Sequence, residues 1–155
     1  LHAALEDPRF RDDKRELAAV HYQTGLLHQA KTDPKAAITS FREADQLFAA
    51  VGDQSNRATC LSSMGMAHRG LGELDHALKS HRESLELRTK LGEMKKAVIT
   101  LNNIGIVFCA QARYNEAVAE FKEADTLARE IKDDEGIQIT QSNLKRAEKL
   151  SAKKK

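Results

Sequence analysis

An all-α, right-handed helical-repeat solenoid of about three helix pairs plus a C-terminal capping helix is the fold class predicted here, and three observations predict it. Gly25, Gly65 and Gly105 step by 40 residues, and Ala37, Ala77 and Ala117 step by the same interval. A fixed period between 20 and 50 residues marks one supersecondary unit stacked on copies of itself. Composition agrees: 2 Pro, 8 Gly and no Trp in 155 residues, with Leu, Ala, Glu, Lys and Arg dominant, favour helix over sheet. Within each block, finally, apolar residues recur at helical spacing between turn signals.

The elements follow in chain order. Residues 1–12 form a lead-in containing Asp7-Pro8, where proline pushes its predecessor out of helical geometry. From about Asp13 to Lys31, the positions Leu17, Val20, Thr24, Leu27 and His28 describe the apolar stripe of the first A helix, with Asp13 as its cap and Glu16 in its first turn. Thr32-Asp33-Pro34 breaks the chain and restarts it, with Asp33 as N-cap and Pro34 at the first helical position. The first B helix then runs to about Val51 on Ala37, Ile38, Phe41, Ala44, Leu47 and Phe48, before Gly52. The second repeat places helix A over about Arg57 to Arg69, a turn at Gly70-Leu71-Gly72, and helix B over about Asp75 to Leu91. In the third, helix A covers Lys96 to Gln111, Asn115 is the candidate cap, and helix B covers Glu116 to Ile131. Residues 137–150 begin a fourth A helix, with Ile139 and Leu144 in register. Its Lys145, Arg146, Glu148 and Lys149 give the polar outer face of a cap. The repeat domain therefore spans 13–150, in repeats of about 17–56, 57–96 and 97–136, and 151–155 is a basic tail.

A net charge of +2 argues for neither nucleic acid nor a membrane surface as partner. Charge alternates along the chain, with −2 over residues 1–56, +3 over 57–96, −4 over 97–136 and +5 over 137–155. Neither a run of about 18 apolar residues nor a charged-then-apolar leader occurs, so the expected location is the cytoplasm. A chain that starts at Leu1 rather than Met reads as a fragment or processed product of a longer protein. Cys60 and Cys109 stand nine places apart in the repeat register, about 13 Å along parallel helices, too far for a disulfide, and both are expected reduced.

With these residues in place the chain resembles the tetratricopeptide repeat (TPR). The family's helix A glycine is matched by Gly25, Gly65 and Gly105, its helix B alanine by Ala37, Ala77 and Ala117, its aromatic position by Phe41 and Phe121, and its second small position by Ala44, Ser84 and Ala124. Departures are His28 and His68 at an aromatic position, His81 in place of the helix B Phe, no terminal Pro, and a period of 40 rather than 34. Blocks such as Leu101-Asn-Asn-Ile-Gly105 resemble the long-helix subclass found in spindle-orientation adaptors, kinesin light chains and bacterial peptide-sensing regulators. That resemblance implies a scaffold that binds a peptide or helix of another protein.

On the A helix face turned away from helix B, residues fall into columns that line the inner curve. They run Tyr22, Ser62, Asn102, Ser142; Gln23, Ser63, Asn103, Asn143; Leu26, Met66, Ile106, Arg146; and Gln29, Arg69, Cys109, Lys149. Amide and hydroxyl groups suit the backbone of an extended peptide, and the Leu26, Met66 and Ile106 column offers adaptable apolar contact. The candidate peptide site is Tyr22, Gln23, Ser62, Met66, Arg69, Asn102, Asn103, Ile106, Asn143 and Arg146, with Arg69 and Arg146 able to fork a carboxylate. The main backbone contact falls on Asn102 and Asn103, which the subclass resemblance implies. The same residues are also ordinary solvated helix positions. Two alternatives to a peptide scaffold remain: a structural module that self-associates into homo-oligomers, and a peptide-sensing domain of a larger regulator.

No enzyme motif occurs. Gly65, Gly70 and Gly72 punctuate a helix and its turn without the Gly-Lys-Ser/Thr of a phosphate loop, and neither a nucleophile elbow nor a zinc-protease motif is present. All six histidines precede residue 82, but no carboxylate or cysteine completes a recognisable ligand set with His28, His68, His76 or His81, which read as packing replacements for Tyr and Phe. The expectation is no enzyme, no cofactor and no metal.

Overall fold

A computed structural model of the protein describes residues 8–153, with side-chain environments from residue 12 onward. Those residues form seven helices, α1 (Pro8–Ala30), α2 (Pro34–Ala50), α3 (Gln54–Gly70), α4 (Leu74–Lys90), α5 (Met94–Ala110), α6 (Tyr114–Glu130) and α7 (Asp134–Ala152). Each of α2 to α6 has 17 residues. With a three-residue turn after each, the helix repeat is 20 and the pair repeat 40. The turns share one backbone device: Thr32 (φ 58°), Gly52 (74°), Gly72 (77°), Gly92 (70°), Ala112 (56°) and Lys132 (55°) take the left-handed region at the same station every 20 residues. This residue lets the next amide reach back to the helix end, as where Glu73 N donates to His68 O at 2.9 Å. At Thr32, Ala112 and Lys132 the turn holds a non-glycine residue where the conformation costs roughly 1–2 kcal/mol.

The A helices α1, α3, α5 and α7 form one layer and the B helices α2, α4 and α6 the other. Successive A helices touch directly and approach more closely than successive B helices, so the A layer is the inner, concave one. The stacking register is visible in pairs about one repeat apart, such as Tyr22 Oη with Ser63 Oγ at 3.4 Å in the A layer and Arg82 with Glu120 at 3.0 Å in the B layer. Within a pair, the small residues let the helices cross closely. A Cβ on Gly25 would lie 2.5 Å from the Phe41 ring, on Gly65 2.6 Å from the His81 ring, and on Gly105 2.5 Å from the Phe121 ring. Ala37, Ala77, Ala117, Ala44 and Ala124 are fully buried on the facing helices. At the equivalent place in α4, Ser84 is also fully buried and donates to Ala58 O at 2.7 Å.

Several local expectations are corrected. Helix α1 begins at Pro8, so Asp13 lies inside it and does not cap it; residues 1–7 and 154–155 lie outside the described residues. Helix α3 starts three residues early because Asp53 caps it, its carboxylate accepting from Asn56 N at 3.1 Å. Asn115 is not a cap either: α6 begins at Tyr114, with Arg113 in the cap position and no side-chain cap bond. Asp33 caps α2 as the sequence predicts, accepting from Ala36 N at 3.1 Å.

The larger correction concerns α1. Leu17, Val20 and Leu27, read as its buried stripe, are 48%, 60% and 62% exposed, whereas Ala18 and Gly25 are buried and Tyr22 half-buried. The repeat register gives the reason. The counterparts of Val20 are Cys60, Thr100 and Thr140, and those of Leu27 are Ala67, Val107 and Ala147, all buried beneath the preceding B helix. Among the described residues, α1 has no preceding B helix.

Candidate groove on the A helix layer

Solvent-facing positions of α5 on the inner layer are spaced four, three and four residues apart: Ile99, Asn103, Ile106 and Ala110. The same stripe on α7 is Ile139, Asn143, Arg146 and Leu150. Ile99 and Ile139, 56% and 50% exposed, stand one turn before Asn103 and Asn143 on their helices. A cavity of about 430 Å³ opens on this face, lined by Arg69, Ile106, Asn143 and Arg146 together with Cys109, Ala110, Tyr114, Phe121 and Leu150. Tyr22 and Gln23 line a second cavity of about 430 Å³ between α1, α2 and α3, beside Arg15, Ala19, Phe48, Asn56 and Thr59. Met66 is half-buried on α3 and lines neither cavity.

The column Tyr22, Ser62, Asn102 lies one step too deep. Ser62 and Asn102 are 6% and 5% exposed, placed between neighbouring A helices rather than toward solvent. Asn102 Nδ2 donates to Thr140 Oγ1 at 2.7 Å and to Val98 O at 3.1 Å, while Asn102 Oδ1 accepts from Asn143 Nδ2 at 3.1 Å. Its polar groups are thus committed to joining α5 to α7, and it cannot hold a ligand's backbone without breaking that joint. Asn103 beside it is half-buried and stays on the groove. Asn102→Ala would strand the buried Thr140 hydroxyl and remove the acceptor of Asn143, so a loss of about 1–3 kcal/mol and a lower melting temperature are expected by circular dichroism. An unchanged melt would contradict the structural role.

Charge on the groove is basic. Arg69 and Arg146 are exposed at its rim, and among the described residues no carboxylate pairs with either. The Cys109 thiol is pushed up by burial against the opposing effect of Arg146, and Cys60 is pushed up to about 12, mainly by burial, so both stay protonated at neutral pH. Both are free thiols. His81, against Gly65, is fully buried and its pKa is lowered to about 4 by burial and by the charges of Arg69 and Arg88, so its ring is neutral.

The structure also supplies what the sequence did not show around the histidines. His68, on the last turn of α3, places Nδ1 2.6 Å from Glu73 Oε2, and its ring stacks on His76 of α4 with centroids 5.3 Å apart. The expectation that no carboxylate joins the histidines is therefore corrected, because the turn folds Glu73 back between two helix ends.

Profiles of the tetratricopeptide repeat match residues 16–90 and 99–131, together more than half of the chain. The chain is a tetratricopeptide-repeat protein. No curated protein matches it by sequence. Among solved structures it is similar to the Rap conjugation gene regulator of plasmid pLS20 in complex with the Phr* peptide, at 18% identity and a TM-score of 0.73, covering 83% of this chain and 36% of that one. It is also similar to a putative kinesin light chain of Podospora anserina with nearly identical TPR-like repeats, at 14% identity and a TM-score of 0.73, covering 88% and 67%. A third is aspartyl phosphate phosphatase F of Bacillus subtilis, at 17% identity and a TM-score of 0.75, covering 97% and 42%. The TPR chain thus spans about a third of the first of these proteins and two thirds of the second. At such identities the likeness is one of fold.

Proposed function

We propose that this TPR chain is a protein-interaction module that holds an extended, acidic peptide segment of a partner protein in the groove of α3, α5 and α7. The carrying observation is the pair Arg69 and Arg146 at the rim of one cavity that Ile106 and Asn143 also line. Two guanidiniums can fork carboxylates, Asn103 and Asn143 suit backbone amides, and Ile99, Ile106 and Ile139 supply apolar contact. A solved relative in fold is complexed with a peptide, which supports the reading. The module acts as an adaptor or regulatory domain without catalysis of its own, and no described helix is long and apolar enough to cross a membrane.

The test is panning of a random peptide library on wild type and on Arg69→Glu/Arg146→Glu. Enrichment of acidic peptides by wild type, lost in the variant at an unchanged melting temperature, is expected. Equal enrichment by both would refute the groove. The exposed Leu17, Val20 and Leu27 favour a second reading, self-association through the outer face of α1. A mass that rises with concentration in sedimentation equilibrium would support it, and a monomer throughout would remove it.

A further inference from the structure

We infer that His68, Glu73 and His76 form a binding site for a divalent transition metal, of the Zn²⁺ type, that staples helix A to helix B in the second repeat. One ligand atom from each of the three lies within 4.8 Å of the others. Two imidazoles and a carboxylate are a three-ligand set that zinc takes with water in the fourth position, at metal–ligand distances of about 2.0–2.2 Å. Ligand atoms around such an ion stand roughly 3.3 Å apart. His68 and Glu73 are already closer than that, at 2.6 Å, and His76 and Glu73 are exposed, so small side-chain rotations complete the set without moving the backbone.

The three positions come from two helices and their turn. His68 lies in the last turn of α3, Glu73 occupies the cap position of α4 without bonding the helix amides, and His76 lies in the first turn of α4. The other repeats show what this trio does when it is not built from ligands. In the third repeat the same places are Phe108, Arg113 and Glu116: the Arg113 guanidinium lies 4.5 Å from the Phe108 ring centroid and pairs with Glu116. In the first they are His28, Asp33 and Ala36, where Asp33 caps α2. The turn is therefore closed by a different interaction in each repeat, and only the second brings two imidazoles and a carboxylate together.

These comparisons also provide variants that the fold accepts, His68→Phe from the third repeat and His76→Ala from the first. The experiment is titration of untagged protein with ZnCl₂ by calorimetry and by thermal melting. One equivalent bound by wild type, a melting temperature raised by Zn²⁺ and restored by chelator, and binding weakened by more than about tenfold in each variant are expected. Both variants should melt near wild type without metal. No binding, or binding of equal strength in the variants, would overturn the site; the latter would assign the metal to other histidines such as His21, which pairs with Glu43 at 2.8 Å.

Discussion

His81→Phe is expected to raise the melting temperature at neutral pH and to remove part of the protein's sensitivity to acid. His81 is fully buried in the middle repeat, and neither ring nitrogen has a hydrogen-bond partner. A buried polar group left unpaired costs about 1–3 kcal/mol. Phenylalanine already fills the same place against Gly25 and Gly105, as Phe41 and Phe121, so the ring fits without rebuilding the crossing. The pH arm has a definite sign. His81 has a pKa of about 4 in the folded chain, against 6.5 for an unperturbed histidine, with burial the largest cause and Arg69 and Arg88 adding to it. Between those values the unfolded chain takes up a proton that the folded chain does not, so stability falls as pH drops below 6.5 and this contribution is exhausted near pH 4. At about 1.4 kcal/mol per pKa unit, the full effect is on the order of 3 kcal/mol. Urea unfolding of both proteins between pH 4 and 7 measures it. The gap between them should widen toward acid, and parallel curves would show that His81 does not titrate in the way its burial requires.

Gly105→Leu is expected to be the most damaging single change in the third repeat. A Cβ at this position meets Phe121 Cε1 at 2.5 Å, and Phe121 is 1% exposed. Overpacking of this kind costs about 1–3 kcal/mol, and a leucine forced between helices that cross on a glycine belongs at or beyond the upper end. Gly70→Leu is the control, since nothing lies within 4 Å of a Cβ there, and it should shift stability by less than about 1 kcal/mol. If both variants melted together, loss of glycine rather than close approach would be the cause.

The legible features were those that repeat. The 40-residue step of Gly25, Gly65 and Gly105 and the small residues facing them on the B helices carry the fold, because the A–B crossing is short-range and each copy restates it. The A helices were harder to read. Internal A helices are covered on two sides, so an apolar stripe alone does not tell which side is covered in the first one; Leu17, Val20 and Leu27 are exposed for that reason. Asn102 was misplaced because its partner Thr140 lies 38 residues away on the next A helix, and a polar residue satisfied across a repeat looks the same in sequence as one satisfied by water. Conversely, Ile99 and Ile139 are exposed although their apolar character suggests a core. The His68, Glu73 and His76 cluster was hidden because the turn at Gly72, with its positive φ, sets the approach of two helix ends.

The groove itself is tested most directly by methyl NMR of isotope-labelled isoleucines, titrated with an acidic peptide selected by panning. Ile99, Ile106 and Ile139 face the groove, while Ile38 and Ile104 are buried within the helix pairs and Ile131 follows α6. Binding on the A helix layer should shift Ile99, Ile106 and Ile139 in proportion to occupancy and leave Ile38 and Ile131 unmoved. Shifts confined to Ile38 or Ile131, with the three groove methyls unchanged, would contradict it and move the partner site to the B helix layer.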